Sequence, residues 1–162
     1  MWFQYSHSVF FDESVRCLLI AKNWLAIVAG GGTSMSRRHS VHISGFTHSS
    51  PVPNASRIDN MLFSGVIIGA DPSTGKANGT FEEQLGNVFL HMKAIVEAVD
   101  GTTDDIIKVN FYLKNSSDRT KVNVEWVKMF SDEHSRPARQ ALVSALDGTI
   151  LVQADFIAVL KA

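Results

Sequence analysis

Residues 135–160, SRPARQALVSALDGTILVQADFIAVL, decide the fold because they hold two strand-like runs with a turn between them. Residues 150–160 alternate between two sides that are both largely apolar, which is typical of a strand inside a sheet. Arg139 lies in the first run and Asp155 in the second. Burying a carboxylate in such a strand costs free energy unless another group pairs with it or unless it has a function. The turn at residues 147–148 predicts a hairpin that brings Arg139 and Asp155 together, either as a structural ion pair or as an anion site.

The segments upstream predict an α+β domain with a mixed sheet of about six strands and two helices on one face of the sheet. Thr80 and Glu83 have the spacing of a capping box, so a helix begins there and ends near Gly101. A second helix is predicted from a buried stripe that contains Val122 and Trp126. The remaining apolar runs read as strands, at residues 39–45, 56–68 with a turn at 59–60, and 106–113.

Several segments resemble blocks of the reactive intermediate deaminase (Rid, or YjgF) family, in the family's order and at nearly its spacing. They are NMLFSG at 60–65, DPSTGK at 71–76, the helix over 80–100, DIIKVNFYLK at 105–114, VNVEW at 122–126 and RPAR at 136–139. Several ordered blocks are more specific than any one of them. The resemblance covers about residues 40–162 and implies a chorismate-mutase-like fold that assembles as a homotrimer with sites between subunits.

The resemblance also implies a reaction, the hydrolysis of reactive 2-imino acids of the 2-aminoacrylate type to 2-keto acids and ammonia without a cofactor. Arg139 matches the arginine that holds the substrate carboxylate, a task that suits a planar and permanently charged guanidinium. Asp155 stands where the family often has a glutamate that orients water or the imine nitrogen. Ser64, Gly65 and Asn123 match positions that line the pocket. The catalytic residues are thus expected to be Arg139 and Asp155.

Two departures from the family pattern indicate a divergent branch, because Val66 replaces a usual glutamine and Val52 aligns with a common tyrosine. Asp155 either orients a water or pairs with Arg139, and Asn123 is equally a first-turn polar residue of its helix. Two other functions therefore stay open. One is a non-catalytic regulatory trimer that binds a small carboxylate, and the other is a hydrolase on the same scaffold that acts on another nitrogen-containing intermediate.

The composition of the chain limits the kinds of partner that we expect it to bind. Lysine and arginine number 15 against 16 for aspartate and glutamate, so no net field recruits nucleic acid or an anionic membrane, and small molecules or further copies of the chain are expected. The single cysteine, Cys17, excludes an internal disulfide and a thiolate metal cluster and fits the cytoplasm. The histidines, His91 among them, show no ligand spacing. They are predicted to be scattered or solvated, with no metal bound.

Residues 1–34 match nothing in the family. Their apolar run over 18–29 contains Lys22 and Asn23 and falls short of the ~20 residues that a membrane span needs. The sequence GGGTSM at 30–35 is what a purine-rich ribosome-binding site before a start codon gives on translation. We therefore expect Met35 to be the natural initiator and 35–162 to be the domain, with an extra strand or an amphipathic cap as the alternative for the extension.

Overall fold

A computed structural model describes residues 37–46 and 50–161. The predicted N-terminal extension and the predicted start at Met35 lie outside these residues and stay predictions. The described part of the chain contains two α-helices, α1 (Phe81–Glu97) and α2 (Val122–Met129). It also contains seven strands, which are β1 (His39–Val41), β2 (Ala55–Ile58), β3 (Met61–Ser64), β4 (Ile67–Ile68), β5 (Ile106–Leu113), β6 (Ala138–Val143) and β7 (Val152–Val159).

The strands form one mixed sheet in the order β1-β2-β3-β7-β5-β6, with β4 paired to β7 beside this path. Every pairing is antiparallel except that of β5 with β6, which is parallel. A parallel pair needs a crossover connection, and α2 lies in the segment that joins β5 to β6. The predicted α+β class, the mixed sheet and the two helices are confirmed.

Helix α1 begins at the predicted capping box. The Thr80 hydroxyl accepts the Glu83 backbone N–H at 3.3 Å, and the Glu83 carboxylate accepts the Thr80 N–H at 2.7 Å. The helix ends where the Gly101 N–H bonds to the Val96 carbonyl at 3.0 Å. Its buried residues, Leu85, Val88, Met92, Ile95 and Val96 among them, face the sheet. Both ends of α1 could therefore be predicted from the local sequence.

The hydrophobic core lies between the helices and one face of the sheet. Every second residue of β7 is buried there, from Val152 to Ala158, while the residues between them are partly exposed. On the opposite face Met61, Phe63 and Leu142 keep 42%, 47% and 42% of their surface exposed. The described residues leave this face, which we call the open face, uncovered.

The predicted hairpin between Arg139 and Asp155 is wrong, because β6 and β7 do not pair. Both strands pair with β5, where Val109 is the neighbour of Arg139 and Asn110 is the neighbour of Asp155. Strand β7 buries alternate side chains against α1, so it takes a central place with partners on both sides, and the crossover through α2 leaves β6 at the edge. A structural ion pair of Arg139 with Asp155 within one chain is therefore also excluded.

The first strand is shorter than predicted. It stops at Val41, and beyond it the Ile43 backbone N–H bonds to the Asn54 side-chain oxygen at 3.0 Å in place of a strand partner. The Asn54 amide nitrogen donates to the Phe46 carbonyl at 2.6 Å. One buried asparagine thus satisfies the backbone of the segment that follows β1.

Candidate functional site

Arg139 lies on the edge strand β6, on the side that faces α2. Its guanidinium carbon is 4.8 Å from the centroid of the Trp126 ring, and one terminal nitrogen donates to the Asn123 side-chain oxygen at 2.7 Å. Stacking on an indole face and a hydrogen bond together fix the plane of the group. Partial burial lowers the pKa of Arg139 from its usual range, although an arginine remains charged at neutral pH.

Within residues 37–46 and 50–161 no carboxylate forms an ion pair with Arg139. The neighbouring Arg136 differs, because it donates to the carbonyls of Phe130 and Ser131 at 2.9 and 3.4 Å and so closes the end of α2. A guanidinium has five N–H donors, and Asn123 uses one of them. Of the two arginines in the RPAR segment, Arg139 therefore presents donors for an anion, whereas Arg136 has a structural task.

Asp155 lies on β7 and faces the open side of the sheet, where two side chains of β5 hold it. Its two carboxylate oxygens accept from the Asn110 amide at 2.7 Å and from the Tyr112 hydroxyl at 2.9 Å. The hydrogen bond to Asp155 raises the pKa of Tyr112. A carboxylate has about four lone-pair sites, so two acceptances leave room for a water or an N–H.

Neither Asn110 nor Tyr112 was predicted from the sequence to be a site residue. Their alternation with buried Val109 and Phe111 was visible and placed them on one face of a strand. Asp155 lies beside them because β5 pairs with β7 in this register. No local signal in the sequence reports that pairing or its register.

Ser64 is the last residue of β3, the strand beside β7, and Gly65 follows it. The Ser64 hydroxyl accepts the Phe156 backbone N–H at 2.8 Å, next to Asp155 in the chain. The Gly65 N–H donates to the Asn54 carbonyl at 2.7 Å, and a Cβ at Gly65 would lie 3.1 Å from the Pro53 carbonyl. Glycine suits this position because the backbones approach closely, and a Cβ would make the Pro53 carbonyl shift by a few tenths of an ångström. The Ser64 hydroxyl can still donate its own hydrogen to a ligand.

The predicted site residues form two groups in one chain. Arg139 and Asn123 are in direct contact, and Ser64 lies beside the backbone of the residue that follows Asp155. Arg139 and Asp155 are on opposite faces, with β5 between their strands. Their strands are two spacings of about 4.8 Å apart in the sheet, and the two side chains leave the sheet in opposite directions. One small ligand therefore cannot contact Arg139 and Asp155 of the same chain.

In the part of the chain that the structure describes, no three His, Cys, Asp or Glu side chains converge in a way that could hold a metal ion. None of its helices is long and apolar enough to cross a membrane. The histidines were predicted to be scattered or solvated, and His91 is not solvated, because it exposes 3% of its surface. Its position on the sheet-facing side of α1 explains the burial.

The fold and these residues define a class of protein, an α+β domain whose single sheet has one helix-covered face and an edge arginine without an anionic partner in the described chain. The sequence profile of the family described as endoribonuclease L-PSP matches residues 47–160. A RutC family protein of Pyrococcus horikoshii is 36% identical over 120 residues, which cover 70% of this chain and 94% of the relative. The chain therefore belongs to this family, which is the Rid family that the sequence resembles.

Two further relatives bear on function. A protein of Dermatophagoides farinae named 2-iminobutanoate/2-iminopropanoate deaminase is 26% identical over 113 residues, which cover 68% of this chain and 87% of that protein. The crystal structure of RidA from an Antarctic Psychrobacter species superposes with a TM-score of 0.70 at 27% identity, over 75% of this chain and 99% of that one. Both similarities span nearly the whole of the described domain.

Proposed function

We propose that the protein is an imine deaminase that hydrolyses reactive 2-imino acids to 2-keto acids and ammonia. The observation that carries this proposal is the state of Arg139, a guanidinium held flat by Trp126 and Asn123 with no carboxylate bound to it from the described residues. A planar fork of free donors is complementary to a carboxylate, which every 2-imino acid carries. The deaminase name of the Dermatophagoides farinae relative supports the same chemistry.

In this proposal the site is shared between copies of the chain. Arg139 and Asp155 face opposite sides of one sheet, so a ligand that uses both must lie between two molecules. The open face carries exposed Met61, Phe63 and Leu142, an apolar surface of the kind that subunits cover. A homotrimer in which this face meets the Arg139 edge of a neighbour would bring the two groups together.

For this reaction the main task of the protein is to position the substrate and the attacking water. Water adds to the carbon of the protonated imine, the C–N bond then breaks, and the products are a 2-keto acid and an ammonium ion, so atoms and charge balance. Arg139 would hold the carboxylate, and Asp155, fixed by Asn110 and Tyr112, would accept a hydrogen bond from the attacking water. Ser64 and Gly65 would line the ligand.

The direct test is hydrolysis of imino acids that an amino-acid oxidase generates in the assay, with Arg139→Lys as the decisive variant. Lysine keeps the charge but cannot offer two parallel donors in one plane. A charged hydrogen bond contributes roughly 1.5–3 kcal/mol, so kcat/KM should fall about tenfold to a hundredfold. The melting temperature should change little, because the described residues give Arg139 no buried ion pair.

Arg136→Lys is the matched control, since it makes the same change three residues away at a side chain that bonds only to backbone carbonyls. It should keep its activity and lose some stability. Unchanged kinetics of Arg139→Lys on every imino acid tested would contradict the proposal.

A regulatory function without turnover is the second candidate, and the engagement of both Asp155 oxygens by the chain's own Asn110 and Tyr112 favours it. If the carboxylate serves only to fix β5 against β7, the arginine can bind a small carboxylate that is never converted. Calorimetric titration with a stable 2-keto acid separates the two cases. Arg139-dependent binding together with no imine hydrolysis would assign the regulatory function.

A further inference from the structure

A cavity of about 320 Å³ lies on the helix side of the sheet, between α1, β4 and the segment that follows β1. Its walls include the side chains of Phe46, Val66, Ile67, Ala70, His91 and Ile95. Neither Arg139, Asn123, Asp155 nor Ser64 contributes to it. This volume is at the lower end of the range for small-molecule sites, about 300–1,000 Å³.

His91 is the unusual member of this wall. Only 3% of the surface of this residue is exposed, and the Nε2 atom of its side chain has no hydrogen-bond partner in the described structure. Asn54 also lines the cavity, but both ends of its amide already have a partner, the Ile43 N–H at the oxygen and the Phe46 carbonyl at the nitrogen. A buried polar atom without a partner costs about 1–3 kcal/mol, so such an atom beside a cavity indicates a missing partner.

The chemistry of the walls restricts that partner. Burial lowers the pKa of His91 to about 3, so the imidazole is neutral at physiological pH and carries one donor and one acceptor nitrogen. A hydroxyl group both donates and accepts, so it satisfies Nε2 in either tautomer. A carboxylate or an ammonium would be desolvated among apolar side chains without an opposite charge. The Phe46 ring lies next to the imidazole and provides an aromatic wall.

We propose that this cavity is a second binding site, for a small neutral molecule with one hydroxyl group on an apolar or aromatic body, and that the hydroxyl bonds to His91. The site is separate from the proposed imine site. It selects against the carboxylate that Arg139 would select for, so the two proposals can fail independently.

The test is calorimetric titration of the full chain with phenol, toluene and benzoate. Phenol should bind saturably, once per chain, and benzoate, which Arg139 would hold at the other site, should not displace phenol from this cavity. His91→Leu should weaken phenol about three- to tenfold, the worth of one hydrogen bond, and should leave toluene unchanged or tighter. Ala70→Val, which adds two methyl groups to the wall, should weaken phenol and toluene alike.

Leu90→Gln is the matched control, because Leu90 is the neighbour of His91 on α1 but is 56% exposed and does not line this cavity. It should bind phenol like the wild type, and so should Arg139→Lys. Three results would overturn the proposal: no saturable phenol binding, equal effects of His91→Leu on phenol and toluene, or loss of phenol binding in Arg139→Lys.

A measurement on the wild type keeps the proposal testable if His91→Leu does not fold. Nitrogen NMR of the histidine side chains should show the Nε2 resonance of one buried, neutral imidazole moving with phenol and not with toluene. An equal response to both molecules, or no response to phenol, would contradict the hydrogen bond.

Discussion

Arg139 and Asp155 carry opposite charges, yet each is held by neutral side chains. Arg139 has Asn123 and Trp126 on its own side of the sheet, and Asp155 has Asn110 and Tyr112 on the other. Neutral partners orient a charged group without cancelling its charge. Each group therefore stays able to bind an oppositely charged or polar ligand, which is the property that the proposed site needs.

Asp155 provides the first residue-scale prediction. If the carboxylate orients water, Asp155→Asn should lower imine hydrolysis at least about tenfold, because the amide lacks the charge that favours the attacking water. Asp155→Glu should keep or raise the activity, since it restores the reach that is common in the family. Steady-state kinetics on one imino acid measures both, with Asp147→Asn in the exposed turn before β7 as the control. Full activity of Asp155→Asn would remove this residue from the mechanism.

At the scale of elements, α1 is attached to the sheet by a polar side chain as well as by its apolar stripe. Gln84 is fully buried, its amide nitrogen donates to the Thr149 carbonyl at 2.9 Å, and its oxygen accepts the Leu151 N–H at 2.9 Å. It thereby satisfies the backbone of the segment that leads into β7. A Cβ at Gly69 would clash with the Gln84 carbonyl, so the residue that follows β4 also lies close to this turn of the helix.

Replacing Gln84 by methionine, which has nearly the same shape, should leave the part-buried Thr149 carbonyl and Leu151 N–H without this partner. A fully buried unsatisfied group costs about 1–3 kcal/mol, so for these two part-buried groups together the free energy of unfolding should fall by about 1–3 kcal/mol. Urea denaturation measures it. Asn87→Met on the same helix removes one longer bond, 3.3 Å to the Gly69 carbonyl, and should cost less than half as much. Equal costs would show that the Gln84 bonds contribute little.

The burial of His91 on α1 predicts how stability depends on pH. Its pKa in the folded chain is about 3, against an ordinary value of 6.5. Below pH 6.5 the unfolded chain takes up a proton at His91 while the folded chain does not, so acidification lowers the free energy of unfolding. From pH 7 to pH 5 this effect is about 2 kcal/mol. Denaturation of the wild type and His91→Leu at both pH values isolates it, and parallel pH profiles would contradict it.

At the scale of the whole molecule, the open face is the surface that the described residues of one chain leave uncovered. A sheet with helices on one side only exposes Met61 and Phe63 on the other side, so we expect a homotrimer in solution. Light scattering should give three times the chain mass of 17.8 kDa at micromolar concentration.

Phe63→Glu should shift that assembly towards monomer and reduce imine hydrolysis with it, because the proposed site needs two copies. Leu90→Glu, on the helix-covered side and 56% exposed, should do neither. A monomeric wild type would contradict both the trimer and the shared site.

Interactions between near neighbours in the chain were determined by the sequence alone. The capping box of Thr80 and Glu83, the strand over residues 106–113 and the alternation of β7 depend on contacts a few residues apart, and all were predicted correctly. Arg139 was also singled out from the sequence, through its motif, and its role in the site stays a prediction.

Tertiary structure alone decided which strands become neighbours. The insertion of β5 between β6 and β7 separates Arg139 from Asp155, gives Asp155 its partners Asn110 and Tyr112, and replaces the expected hairpin. The burial of His91 beside a cavity has the same origin. Strand order and register follow from the packing of the whole core, where segments far apart in the chain compete for one central place, and no short stretch of sequence contains that competition.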